Sequence, residues 1–254
     1  MQASPSFVHY LPILTTVLSA VFFVLLVRRA QARRWAPHLV WWAAGVFFYG
    51  LGTTIESTIT LSGNTPGLFR VWYWAGAILG GYPLATGSVY LLCSRRLAHT
   101  LTAITFGLVV FASVAVFLSP VDPAAIDPVR PSGKALEWQW IRALTPVINL
   151  YAAAFLIGGA VHSSFRFVSA GSNPGRALGT ALIAIGGMLP GFGGMLAKLN
   201  IVEALYVGEL VGLILIWAGY ECCVRAPEPV RAETDLVGRP GPVPVPEGLG
   251  GQTH

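Results

Sequence analysis

Charged side chains are scarce in this chain. They make up 11% of its 254 residues, whereas soluble domains carry about 25%. Hydrophobic residues account for 54% of the sequence, and the mean hydropathy is +0.65. So few charges exclude an ordinary soluble domain, and the composition predicts an integral membrane protein.

The signatures of the common enzyme and cofactor classes are missing as well. The sequence has no G-x-S-x-G nucleophile motif, no Walker glycine loop and no H-E-x-x-H zinc motif. Its two lysines, Lys134 and Lys198, lie outside the centres of the apolar runs, which argues against a retinal Schiff base. His38, His99 and His162 map to the edges of such runs, which leaves a haem or metal site only as an alternative. We therefore predict a protein that is not an enzyme and that has no catalytic residues, metal ligands or cofactor.

Cysteine is rare too. The three thiols, Cys93, Cys222 and Cys223, map to helix ends on the side of the membrane that the arginines assign to the cytoplasm. A reducing compartment keeps such thiols free, so no disulfide framework is expected. The adjacent pair beside Arg225 leaves S-acylation open as an alternative.

Seven apolar runs are long enough to cross a membrane. A bilayer core about 30 Å thick takes about 20 apolar residues of helix. Windows of this length fit segments at about residues 8–27, 39–62, 68–93, 100–118, 141–165, 175–197 and 202–223. We predict an all-α membrane protein, a seven-transmembrane helix bundle over residues 1–225, with six or eight spans as alternatives. The Pro/Gly-rich tail over residues 226–254 is predicted to be disordered.

Basic residues are unevenly divided between the two sides of this bundle. One side carries Arg28, Arg29, Arg33, Arg34, Arg95, Arg96, Arg166, Arg176 and Arg225. Because short cytoplasmic loops are enriched in arginine and lysine, this side is predicted to be cytoplasmic, with the N terminus outside and the C terminus inside. We expect a multi-pass protein of the cell membrane, whose net charge of +5 reflects topology and not nucleic-acid binding.

Two glutamates interrupt the apolar runs. Glu56 lies about 25 Å into the second run, counted from its cytoplasmic end, and Glu209 lies about 10 Å into the seventh, counted from outside. Both carboxyl groups therefore fall in the outer part of the bundle, where a charge facing lipid costs at least about 2.5 kcal/mol. We expect the two groups to approach each other or to share one polar cavity, with at least one of them protonated.

Other polar and aromatic residues map to the same level. Helical spacing puts Tyr49 and Thr53 on the face of Glu56, and Tyr206 on the face of Glu209. The predicted ligand-binding residues are Tyr49, Thr53, Glu56, Trp72, Tyr73, Asn149, Tyr206 and Glu209. The alternative is that these side chains only fix helix packing through hydrogen bonds between helices.

Proline and glycine predict a break in the sixth run, in the stretch GGMLPGFGGM at residues 186–195. Pro190 removes one backbone hydrogen bond, and the glycines around it let the chain bend. Such a kink would open the bundle outward. The connection at residues 119–140 is the longest one, and we expect it to cap the bundle.

The second and third runs, WWAAGVFFYGLGTTIES and LFRVWYWAGAILGGYPLATGSVYLL, resemble the seven-helix N-terminal sensor region of bacterial histidine kinases. The resemblance is carried by Trp42, Tyr49, Glu56, Phe69, Arg70, Tyr73 and Pro83. It implies a receptor-like bundle in a bacterial inner membrane. No kinase domain is expected after the seventh run, so any signal would pass to a separate protein.

These patterns together predict a receptor-like membrane protein that binds or senses a small ligand in an outward-facing pocket. A proton-coupled transporter that uses Glu56 and Glu209 as a relay is one alternative, and an accessory subunit of a larger membrane complex is another. The expected partners are the lipid bilayer, an unidentified small ligand and, in the alternative, a membrane or cytoplasmic protein. Nucleic acid is not among them.

Overall fold

The computed structural model describes residues 7–127, 133–198, 201 and 203–227. Over these ranges the chain is helical, apart from turns and one isolated β-bridge between Val121 and Leu136. The long helices are α1 (Leu11–Ala32), α2 (Pro37–Ser62), α3 (Pro66–Leu92), α4 (Arg95–Leu118), α5 (Ile141–Ser169), α6 (Pro174–Lys198) and α7 (Glu203–Arg225). The predicted all-helical class is confirmed. Most of the predicted tail, residues 228–254, lies outside the described residues, and its disorder stays a prediction.

Six of the long helices have the length and the apolar composition to cross a membrane, so the protein is a multi-pass membrane protein. The exception is α2. Its 26 residues are enough for a span, but Trp41, Trp42, Thr53, Thr54 and Glu56 lower its mean hydropathy. The predicted seventh crossing therefore depends on a helix in which Thr53 and Glu56 bond to groups on other helices.

Six of the long helices, all except α4, pack in chain order around a ring. α1 and α2 form a hairpin, α2 packs on α3, α3 on α5, α5 on α6 and α6 on α7, and α7 returns to α1. α4 lies against α3 and α5, and α3 is the most enclosed of the span-length helices. We call the end where α1 starts, α2 ends and α7 starts the N-terminal end of the bundle. The opposite, C-terminal end carries Arg33 and Arg225.

Two helices are interrupted by π-helical segments, Tyr73–Ile78 in α3 and Ala153–Gly158 in α5. α3 breaks again just after its π segment and restarts with Pro83 in the first turn, where the missing N–H of proline leaves no helical bond unmade. The two interruptions meet, because a Cβ on Gly81 would lie 2.9 Å from the Cβ of Ala152. Local unwinding therefore occurs in α3 and α5, at a contact between the two helices.

The helix is not interrupted at Pro190, and the predicted kink stays a prediction. α6 runs through Pro190 as a helix to Lys198. Proline removes the N–H that would bond the carbonyl of Gly186, one turn earlier. That carbonyl oxygen instead faces Gly212 of α7, where an added Cβ would lie only 2.6 Å from it. The neighbouring helix therefore covers the freed carbonyl, which has no need to turn towards water or a cavity.

The contact between α6 and α7 is built on glycines at seven-residue spacing, Gly179, Gly186 and Gly193 on α6. A Cβ on Gly186 would lie 2.6 Å from the carbonyl oxygen of Gly212, and one on Gly179 would lie 2.6 Å from that of Gly219. Side chains do not fit at such distances, so only glycine allows the two backbones to come this close. We call this contact the glycine seam.

The connection between α4 and α5 packs over the N-terminal end of α3. Leu136 of the connection is fully buried in one cluster with Phe69. The Arg70 Nη2 donates a hydrogen bond of 2.9 Å to the backbone oxygen of Ser119, where the connection begins. The expected cap is confirmed for the described parts of this connection, which leave out residues 128–132.

Candidate functional site

Glu56 is enclosed between α2 and α3. Its side chain is 2% exposed, and the indole Nε1 of Trp72 donates a hydrogen bond to its Oε1 at 2.8 Å. Trp72 is the last residue of the first helical segment of α3, directly before the π segment. The buried carboxyl group thus has the polar partner that its position demands.

Glu209 meets Glu56 from α7. The two carboxyl groups lie close enough to interact directly, and the phenol of Tyr49 donates to the backbone oxygen of Glu209 at 2.8 Å. The predicted approach of the two carboxyl groups is confirmed. α2 and α7 are distant in sequence, and these two contacts join them at one level of the bundle.

The close approach of Glu56 and Glu209 requires a shared proton or a bound cation. Two carboxylate anions can only accept hydrogen bonds, and they repel each other strongly in a low dielectric. The Oε2 atom of each residue is buried, and no protein group among the described residues donates to it. One shared proton satisfies these oxygens, and a bound cation would do so in its place. Without either, two buried charges face each other.

An N-terminal turn covers the carboxyl pair. The 3-10 turn Phe7–Tyr10 precedes α1, and His9 within it is 4% exposed. The His9 ring stands edge-on to Tyr206, with centroids 5.8 Å apart. The Thr60 hydroxyl donates to the backbone oxygen of His9 at 3.3 Å. Tyr206 and Thr60 each lie about one helical turn from a glutamate of the pair, so this turn separates the pair from the N-terminal end of the bundle.

Sequence reasoning missed two residues near the pair, His9 and Thr16. The hydroxyl oxygens of Thr16 and Thr53 are 2.9 Å apart and link α1 to α2 one turn from Glu56. Pro12 was an available signal for His9, because proline marks the first turn of α1 and places His9 just ahead of it. No signal in the sequence separates Thr16 from the other threonines.

Two of the predicted site residues lie away from the pair. The hydroxyl of Tyr73 hydrogen-bonds that of Thr145 on α5 at 2.9 Å, and its ring packs beside Phe69. Asn149 lies outside the bundle core, since its side chain is exposed on the surface of α5. Its neighbour Ile148 is the buried residue at this level. The depth of a residue along its helix was predictable from the sequence, but the direction of its side chain around the helix axis was not.

The bundle is apolar on the C-terminal side of the pair. One packed cluster joins α1, α2, α3 and α7 there. Its buried members include Phe22, Leu26, Val46, Leu213 and Ile216. Phe22 also stacks on Trp217, with ring centroids 5.3 Å apart. The polar contacts of Glu56 and Glu209 thus give way to hydrocarbon and aromatic packing towards the C-terminal end.

A separate cavity of about 300 Å³ lies between α2, α3 and α4. Its walls are almost entirely apolar, and they include Trp41, Phe48, Trp74, Tyr82 and Phe106. None of the eight predicted ligand-binding residues lines it. This cavity is therefore not the predicted outward-facing pocket, and whether the eight residues bind a ligand stays a prediction.

The variant Trp72→Phe tests the indole contact, because it removes the donor to Glu56 and keeps an aromatic ring. We expect it to lower the free energy of unfolding by about 1–3 kcal/mol, since a buried carboxyl oxygen loses its hydrogen bond. Thermal unfolding in mild detergent measures the change. Trp35→Phe is the matched control, because Trp35 is 57% exposed in the turn between α1 and α2. Equal losses in the two variants would contradict a specific contact at Glu56.

No family model matches the chain, and no curated protein and no solved structure shows significant similarity to it. The resemblance of the second and third runs to the sensor region of histidine kinases therefore stays a prediction. What the protein does has to be inferred from the contacts around Glu56 and Glu209.

Proposed function

We propose that the protein is a receptor-like membrane protein that senses protons or a small cationic ligand at the Glu56–Glu209 pair. The supporting observation is the close approach of two buried carboxyl groups on α2 and α7, each with an oxygen that no described protein group donates to. Such a pair is stable only while a proton or a positive charge lies between the oxygens. Loss or arrival of that charge changes the force between α2 and α7. Binding of a proton or a cation at the pair is thereby converted into a change in how the two helices pack.

The surroundings of the pair suit a small cation. Trp72 and Tyr49 both contact the glutamates, and aromatic rings attract organic cations as well as covering them from water. A ligand that arrived from the N-terminal end would displace the His9 turn, which packs on Tyr206 and accepts a hydrogen bond from Thr60. The turn is thus a natural entry point for the ligand.

The proposal includes seven membrane crossings with the N-terminal end outside. The 26 residues of α2 are about 39 Å long, and α2 packs along α1 and α3. The polar residues that lower its hydropathy bond to protein groups, as Thr53 and Glu56 do. A helix of this length with its polar groups turned inward can cross a bilayer despite its composition.

Thiol labelling and a reporter fusion test this topology. Phe7→Cys, at a position that is 82% exposed, is expected to react with a membrane-impermeant thiol reagent added outside. A reporter fused after Arg225 is expected to be active only in its cytoplasmic form, because the arginines hold that end inside. Phe7 and Arg225 on the same side of the membrane would mean that α2 does not cross. Exchange of the two sides would overturn the orientation.

The apolar cluster on the C-terminal side of the pair favours sensing over transport. A proton-coupled transporter needs polar groups along a path through the membrane, and Phe22, Leu213 and Ile216 fill the bundle beside the pair. A proton or ligand that enters from the N-terminal end therefore reaches Glu56 and Glu209 and leaves by the same way. The signal would pass on to a membrane or cytoplasmic protein partner.

Trp72 supplies the readout that tests the proposed function, since its indole N–H bonds Glu56 directly. The measured quantity is the tryptophan fluorescence of the protein in lipid nanodiscs minus that of Trp72→Phe. We expect this difference to change as the pH is varied from about 5 to about 9, and to change at fixed pH when tetramethylammonium is added. Sodium chloride controls for ionic strength, and Glu56→Gln is expected to abolish both responses. A difference that responds to neither titration would exclude this sensing site.

A further inference from the structure

Asn149 is a polar residue on a surface of α5 that the fold leaves open. Its neighbours there are apolar, with Val147 54% exposed and Leu150 70% exposed. Among the residues that the structure describes, none hydrogen-bonds the side-chain amide of Asn149. In a multi-pass membrane protein, a surface of this kind faces lipid or another protein.

The depth of Asn149 makes lipid an unfavourable neighbour. Trp138 and Trp140 stack on each other at the start of α5 and are partly exposed, as tryptophans at the headgroup level are. Asn149 lies about 13 Å further along the helix, inside the outer half of a bilayer core about 30 Å thick. An amide without a hydrogen-bond partner is costly in hydrocarbon. The position therefore calls for a protein partner.

We propose that this surface of α5 forms a homodimer in which the Asn149 side chains of two copies bond each other across a two-fold axis. An amide carries both donors and an acceptor, so two symmetry-related asparagines exchange two hydrogen bonds, each donating to the other's oxygen. A second copy of this chain is thus a self-complementary partner, and a two-fold contact closes without forming a chain of copies.

The residues around Asn149 fit a close helix contact. Pro146 and Ala153, one turn to either side, are exposed and small. Small residues let two membrane helices approach near enough for their polar side chains to bond. The carboxyl pair lies on α2 and α7, so the dimer and the sensing function proposed above stand or fall separately.

Cysteine cross-linking in native membranes tests this interface. Cys93, Cys222 and Cys223 are first replaced by serine, and Ala153→Cys is added beside the intact Asn149. Mild oxidation is expected to give a cross-linked dimer. The product is expected to disappear when Asn149→Leu is added, and to persist with Asn149→Gln, which keeps an amide. Leu178→Cys is the control on α6, because this residue is 57% exposed on another surface and is expected to remain uncross-linked.

Photobleaching of labelled protein in dilute liposomes gives the strength of the contact. Asn149→Leu is expected to weaken the dimer by about 3-fold to 30-fold, the range for a hydrogen-bonded polar contact between membrane helices. A thermal unfolding curve like that of the wild type will show that the variant is folded. Monomers of the wild type at all densities would overturn the proposal. So would equal cross-linking at Ala153→Cys and Leu178→Cys, or a different protein cross-linked at Ala153→Cys.

Discussion

Gly186→Ala is expected to lower the free energy of unfolding by about 1–3 kcal/mol, the usual cost of overpacking. The new methyl group would lie 2.6 Å from the carbonyl oxygen of Gly212 and 2.9 Å from the backbone nitrogen of Ile216. Backbone atoms cannot swing aside as a side chain can, so α6 and α7 would have to separate. Gly186→Leu adds three more carbons at the same point, and we expect little folded protein. Unfolding in detergent, followed by helix circular dichroism, measures both effects.

Gly191 on the same helix provides the matched control. An added Cβ there meets no atom within 4 Å, so Gly191→Ala is expected to be neutral, or to stabilise the helix by up to about 1 kcal/mol through its better helix propensity. The comparison removes the effect of propensity, because both changes are glycine to alanine in one helix. Equal stability of the two variants would contradict the glycine seam.

The second large effect concerns the pH dependence of stability. With a shared proton at the pair, as proposed, the folded state binds one proton that the unfolded chain has released at the same pH. Stability therefore falls as the pH rises, by up to about 1.4 kcal/mol per pH unit for one proton. Glu56→Gln and Glu209→Gln are expected to keep the fold, since glutamine keeps the shape of a protonated glutamate, and to flatten this slope.

Unfolding free energies of the two single variants and the double variant, measured between about pH 5 and about pH 9, complete a double-mutant cycle. Residues in contact are expected to show a coupling energy of about 0.5–3 kcal/mol. Glu137→Gln is the control, because Glu137 is exposed in the connection between α4 and α5. Additive effects and an unchanged pH slope would show that Glu56 and Glu209 do not communicate. The sensing site would then have to be abandoned.

The level of the carboxyl pair was predictable because the rise of a helix is constant. Counting residues from the ends of two apolar runs was enough to bring Glu56 and Glu209 to one depth, although they are far apart in the sequence. The direction of a side chain around its helix is harder to predict. Ile148 and Leu150 flank Asn149 and are both apolar, yet Ile148 is 2% exposed and Leu150 is 70% exposed. Local composition could not tell which of them faced the core.

Pro190 and α2 show a second limit of sequence reasoning. The chemistry of proline predicts a break, but the outcome depends on Gly212, which sequence reading does not pair with Gly186. For α2, a hydropathy criterion counts the unfavourable contributions of Glu56 and Thr53 to membrane insertion. It takes no account of the polar partners on α1, α3 and α7 that offset them. Both limits have one cause, since a polar or strained group is judged alone while its neighbour lies elsewhere in the chain.

The glycine seam also determines how α6 and α7 can move. Helices that meet through long side chains can slide by changing rotamers, whereas backbones in contact at Gly186 and Gly212 have no such freedom. The two helices should then move as one stiff lever, with Glu209 near one end and Arg225 at the other. About 24 Å of helix separates these residues, so a tilt of about 5° at the carboxyl pair would displace the arginine-bearing end by about 2 Å. A change of one proton would in this way become a mechanical displacement on the far side of the membrane.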